Sequence, residues 1–99
     1  MEIKVTKENY QKEINEQGIV IVDFYATWCG PCMMLSPILE ELSEKYKICK
    51  INVDEEQELA MSNKIMSIPT VYFYKDGELK NKFVGYKTKE EIESILKTL

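Results

Sequence analysis

Apolar positions recur along this chain with two periods, and the switches between them outline its elements. Residues 3–5 alternate at the strand period. Thr6 follows as a helix cap, and Tyr10 and Ile14, spaced i and i+4, predict a helix over residues 7–17 that stops at Gly18. Residues 19–25 are almost continuously apolar and β-branched, as in a central strand covered on both faces. Over residues 31–46, Leu35, Ile38, Leu39, Leu42 and Tyr46 share one helical face, opposite Glu40, Glu41, Glu44 and Lys45. Pro37 inside this stretch removes a backbone donor and predicts a kink.

Residues 48–53 read as a further strand and residues 56–63 as a short helix. Strands over 70–74 and 79–84 flank Lys75-Asp76-Gly77-Glu78, a hairpin signal centred on Asp-Gly. Thr88 with Glu91 forms a capping box ahead of a last helix whose Ile92, Ile95, Leu96 and Leu99 make an apolar stripe. The order βαβαβαββα predicts an α/β protein with a central mixed sheet of about five strands and four helices on both faces. At 99 residues the chain is one domain's length, read as a single domain over 1–99.

Composition narrows the chemistry. The net charge of −4 disfavours a nucleic-acid partner. All 13 basic residues are Lys, and the absence of His and Arg removes Cys-His and Ser-His catalysis, His metal ligands and bidentate Arg clamps together. The longest apolar run, residues 19–22, is too short for a membrane span, and the N-terminus shows no signal-peptide pattern, which predicts a cytoplasmic protein. Three Cys make no disulfide framework, and Cys29-x-x-Cys32 reads instead as redox or metal chemistry. Tetrahedral zinc needs four ligands, and Cys49 is the one further thiolate. Cys49 itself lies between Ile48 and Lys50 and reads as a small core residue.

Two Cys at this spacing close a disulfide when the first lies just before a helix and the second in its first turn. The unpaired N–H groups and positive dipole end of that helix would stabilise a Cys29 thiolate, holding it below the ordinary thiol range. Pro31 suits an early helix position. Asp23, inside an otherwise apolar strand, is the first residue that packing does not explain.

Residues 22–32, Val-Asp-Phe-Tyr-Ala-Thr-Trp-Cys-Gly-Pro-Cys, resemble the active-site segment of the thioredoxin family. Lys50-Ile51-Asn52-Val53-Asp54, Ile68-Pro69-Thr70, Lys75-Asp76-Gly77 and Val84-Gly85 match the family in order and spacing, so the resemblance covers nearly the whole chain. It implies the thioredoxin fold and a protein disulfide reductase. Cys29 would be the exposed attacking thiol and Cys32 the buried resolving thiol, with a redox-active Cys29–Cys32 disulfide and no bound cofactor. The implied partners are disulfide-bearing proteins and a flavin-containing, NADPH-linked thioredoxin reductase, and the protein is expected to be a monomer.

The resemblance also implies a buried Asp23 relaying a proton to or from Cys32, and a cis-Pro69 facing the dithiol. Trp28, Gly30, Pro31, Ile68, Gly85 and Tyr86 would complete a shallow docking surface. Several have a plainer reading, and for Pro69 the sequence alone favours a trans bond. Asp23 could be an internal carboxylate satisfied by backbone or Lys, Trp28 a core residue, and Gly85 a turn residue. Lys50, near that aspartate in the family, reads from its own strand as a snorkelling surface Lys. Met33 stands where the family often carries a basic residue, Ser67 where Gly is frequent, Tyr25 where Trp is common and Tyr86 where a small residue is common. These departures bear on partner choice. A scaffolding role for the apolar patch, or an oxidase, isomerase or glutathione-linked role, are the competing classes; Gly30-Pro31 argues against the latter group.

Overall fold

The computed structural model describes residues 1–99, with elements in the order β1 (Glu2–Lys4), α1 (Tyr10–Ile14), β2 (Ile19–Tyr25), α2 (Gly30–Leu42), β3 (Lys47–Asn52), α3 (Gln57–Ser62), β4 (Thr70–Lys75), β5 (Glu78–Val84) and α4 (Lys89–Leu96). The strands form one mixed sheet in the order β1-β3-β2-β4-β5. The strands β1, β3 and β2 run parallel, while β4 and β5 are antiparallel to their neighbours. The β-branched run of β2 therefore sits in the middle of the sheet, where its continuous hydrophobicity is needed on both faces.

Alternation along the strands divides the core in two. Val20, Val22 and Phe24 pack with Cys49, Ile51 and Tyr72 beneath Tyr10 and Ile14 of α1 and Leu59 of α3. Ile21, Ile48, Val71 and Phe73 face the other way, under Leu35 and Leu39 of α2 and Ile92 of α4. Asp23 shares the face of Ile21, two residues nearer the carboxyl end of β2. Cys49 is a fully buried free thiol, and burial pushes its pKa up to about 11, as expected of an inert core residue.

Several local signals read from the sequence act as expected. Thr88 accepts the Glu91 N–H at 3.1 Å while the Glu91 carboxylate accepts the Thr88 N–H at 2.9 Å, a complete capping box. Asp76 and Gly77 both take positive φ, 52° and 82°, the twist a two-residue hairpin turn requires. A side chain at Gly77 would also meet Asn15 Oδ1, 2.9 Å from where its Cβ would stand.

Two helices are shorter than expected. The first begins at Tyr10, not at residue 7, because the Asn9 side chain accepts the Thr6 N–H at 2.7 Å and holds residues 7–9 in a turn. It ends at Ile14, and Gly18, at φ +88°, serves the turn into β2. The second ends at Leu42, with Tyr46 N–H still bonded to the Leu42 carbonyl at 2.9 Å in the following turn. Pro37 lies inside α2, which runs through it without a break in helical structure. No helix is long and apolar enough to cross a membrane.

Candidate active site

The loop leaving β2 turns directly into α2, and the dithiol straddles that junction. Cys29 is the N-cap, with extended backbone at φ −91° and ψ 113°, and Gly30 and Pro31 open the first turn. The missing N–H of Pro31 costs nothing there, since first-turn donors have no helical acceptor. Cys32 follows in that turn, and its N–H donates to Cys29 Sγ at 3.2 Å. The two residues are joined as a disulfide, with Cα atoms 5.2 Å apart. Cys29 Sγ thus sits where the helix presents its free donors and positive dipole end.

Both cysteines are largely buried. Cys29 is 5% exposed and Cys32 1%, which corrects the expectation of an exposed Cys29. The cause is local packing: Ala26 and the two Cys form a small buried cluster against Tyr25, Val53 and Ile68. The Ile68 carbonyl oxygen lies 3.8 Å from Cys29 Sγ. The Ile68–Pro69 peptide bond is cis. The Pro69 carbonyl accepts the Gly85 N–H at 2.8 Å, and Gly85 holds φ +90°, which favours glycine. Three loops therefore converge on the disulfide.

Trp28 is no core residue. It is 71% exposed, and its indole N–H donates to Asp54 Oδ2 at 2.7 Å, which fixes the ring beside the dithiol. Nothing in the sequence pattern assigns Asp54 this role, although it ends the Lys50-Ile51-Asn52-Val53-Asp54 segment that matches the family. Gly30, Pro31 and Tyr86 are exposed, Ile68 and Gly85 half-buried and Pro69 buried. A shallow cleft of about 200 Å³ opens next to Trp28, lined chiefly by Val53, Ile65, Met66 and Ile68. Met66, 92% exposed, also escapes sequence reasoning, because a lone Met carries no signal there.

Beneath this surface, the parallel register of β2 and β3 sets Asp23 beside Lys50. The Lys50 ammonium lies 2.7 Å from Asp23 Oδ2 and 4.6 Å from the centroid of the Tyr25 ring. Its side chain is 15% exposed, so the surface-lysine reading is corrected to a largely buried ion pair. Asp23 is fully buried, and its Oδ1 has no partner. Burial pushes the carboxyl above the usual carboxylate range, outweighing the pull of Lys50, and Glu2 adds a smaller push the same way. Asp23 makes no hydrogen bond to Cys32, although it lies on the sheet face that α2 covers.

A model of the thioredoxin family matches residues 1–98 of the chain. The chain belongs to the thioredoxin family. It is 46% identical over 98 residues to the thioredoxin of Bacillus subtilis (strain 168), covering 95% of this chain and 93% of that one. The thioredoxin of Listeria monocytogenes serovar 1/2a is 43% identical over 97 residues, covering 94% and 93%. Among solved structures, a point-mutant thioredoxin from Halobacterium salinarum NRC-1 superposes with a TM-score of 0.90 at 32% identity, over 98% of this chain and 88% of that one. Both the fold and the thiol–disulfide redox function expected from the sequence are thereby established: this thioredoxin-family chain is a protein disulfide oxidoreductase whose redox pair is Cys29 and Cys32. Membership implies disulfide-bearing proteins and a thioredoxin reductase as partners.

Proposed function

We propose that the protein works in the reducing direction, passing two electrons from its dithiol to disulfides in other proteins. The observation that carries this reading is the position of Cys29 Sγ, which caps α2 and accepts the Cys32 N–H at 3.2 Å. Donors aimed at that sulfur favour the thiolate over the thiol, and a stabilised thiolate is both a competent nucleophile and a good leaving group.

In the forward step the Cys29 thiolate attacks one sulfur of the substrate disulfide. A Cys29–substrate bond forms, the substrate S–S bond breaks, and the departing thiolate takes a proton. The Cys32 thiol then gives up its proton and attacks Cys29 Sγ. The Cys29–Cys32 bond forms, the mixed disulfide breaks, and the second substrate thiolate leaves. Asp23 is the proton acceptor for Cys32, acting through water. Its raised pKa and its unpartnered Oδ1 support that role, with Lys50 steadying the charge of Oδ2.

The substrate segment docks as an extended strand along the backbone of Ile68 beside Pro69, against Trp28, Gly30, Pro31, Gly85 and Tyr86. An NADPH-linked flavoprotein reductase restores the dithiol, no cofactor beyond the disulfide is needed, and the protein serves cytoplasmic redox balance as a monomer. Equilibration with glutathione buffers tests the direction of flow. Thioredoxins are poised at about −270 mV and strong oxidants at about −120 mV. A value close to the first is expected, and one close to the second overturns the reading.

A further inference from the structure

A second depression borders the dithiol face on the far side of the cis-proline loop. It has a volume of about 410 Å³ and lies between residues 64–67 and the end of β5. In the β4–β5 register Thr70 opposes Val84 and Tyr72 opposes Lys82, so these four residues face the same way and form the floor. Lys64 and Met66 stand on the wall. Val84 is 61% exposed and Met66 92%, so the apolar part of the groove is open to water.

Its charge is unlike that of the molecule. The chain carries −4 overall, with 17 acidic residues against 13 lysines. No carboxylate lines this groove, while Lys64 and Lys82 do, and neither lysine is in an ion pair. The groove also runs into the dithiol face. Its wall shares Ile65, Met66 and Ser67 with the cleft beside Trp28, and Val84 leads into Gly85, whose N–H is bonded to Pro69.

From these observations we infer that the groove is an accessory docking site for a segment of the disulfide substrate itself, one with an apolar side chain flanked by Asp or Glu. The apolar side chain covers Val84 and Met66, and the flanking carboxylates meet Lys64 and Lys82. A flexible thioether at Met66 accommodates apolar groups of different shape, which suits a site serving several proteins. Because the lysines are exposed, the gain is modest, screened by salt, and expressed in the choice among substrates. The inference rests on the substrate-reductase reading above.

The test compares short disulfide-linked peptides that differ in whether the flanking segment is acidic-apolar or lysine-apolar, with a small aromatic disulfide as reference. For the unaltered protein at low salt, kcat/KM should favour the acidic peptide by about fivefold to tenfold. The double variant Lys64→Glu/Lys82→Glu should lose or invert that preference and reduce the aromatic disulfide at the unaltered rate. A Lys12→Glu/Lys97→Glu variant, with the same change in net charge away from the groove, should keep it. No preference in the unaltered protein, a preference that survives Lys64→Glu/Lys82→Glu, or equal loss in both variants overturns the groove. Failure of the unaltered protein to reduce even the aromatic disulfide overturns the reductase reading instead.

Discussion

Lys47 and Lys50 lie three residues apart on β3, Lys47 at its first residue and Lys50 nearer its carboxyl end, and both are paired with acidic side chains. Lys47 sits at the closed end, where it bridges Glu13 and Glu16, both at 2.5 Å. The same end is tied by Gly18 N–H to Asp76 Oδ1 at 2.8 Å and by Asp76 N–H to the Gly18 carbonyl at 3.0 Å. Lys50 sits towards the dithiol end, where it meets one oxygen of a fully buried Asp23 and leaves the other without a partner. Both lysines are largely buried, but the carboxylates that meet Lys47 keep contact with water, whereas the one that meets Lys50 is fully buried at a cost. The unsatisfied polar group and the exposed apolar side chains of Trp28, Met33, Met66 and Tyr86 gather around the chemistry. The end that does the work is the end that gives up stability.

That contrast breaks most visibly at the dithiol. Cys29→Ser should abolish disulfide reduction in an insulin-type precipitation assay, whereas Cys32→Ser should leave the protein covalently joined to its substrate. A gel run without reductant reads the difference, and turnover by either variant would sink the division of roles.

Asp23→Asn should raise the urea midpoint at neutral pH, since the variant removes a carboxylate whose charged form burial disfavours. The folded-state pKa of Asp23 is raised, so the unaltered protein loses stability as pH rises from the ordinary carboxylate range through the folded value. The advantage of the variant should therefore vanish at low pH, where both side chains are neutral. The same substitution should slow the Cys32 step at neutral pH. A thiol-exchange rate unchanged across pH would remove Asp23 from the mechanism.

Lys47→Met acts in the opposite sense. It should lower the urea midpoint slightly, by an amount that shrinks in high salt, and leave thiol exchange untouched. A change in exchange rate would mean that the two ends are coupled. The smallest effect is expected at Tyr25, whose ring lies under the Lys50 ammonium. Tyr25→Leu should cost about 0.5–1 kcal/mol, most of it restored in Tyr25→Phe, because the aromatic face and not the hydroxyl meets the charge.

Much of this architecture is written locally. The limits of β2 coincide with the run Ile19–Tyr25 because a central strand needs an unbroken apolar sequence. The last helix starts where Thr88 and Glu91 can cap it. The first helix falls short of its apolar pattern because the Asn9 side chain competes for the Thr6 backbone, an outcome decided by one hydrogen bond among near-equal alternatives.

At the site, the chain by itself specified which atoms react: the Cys29–Cys32 spacing, the helix that Cys29 caps, and an acid inside a hydrophobic strand. These depend on neighbours in sequence, whose geometry the backbone fixes within a turn or two. Tertiary structure alone decided what those atoms meet. The β2–β3 register brings Lys50 to Asp23 across 27 residues, and Trp28 finds Asp54 across 26. Packing by Ile68 and Val53 buries a Cys29 that the family resemblance implied to be exposed. Such partnerships depend on how separate elements stack and on which strands pair, and no short-range pattern of side chains encodes that choice.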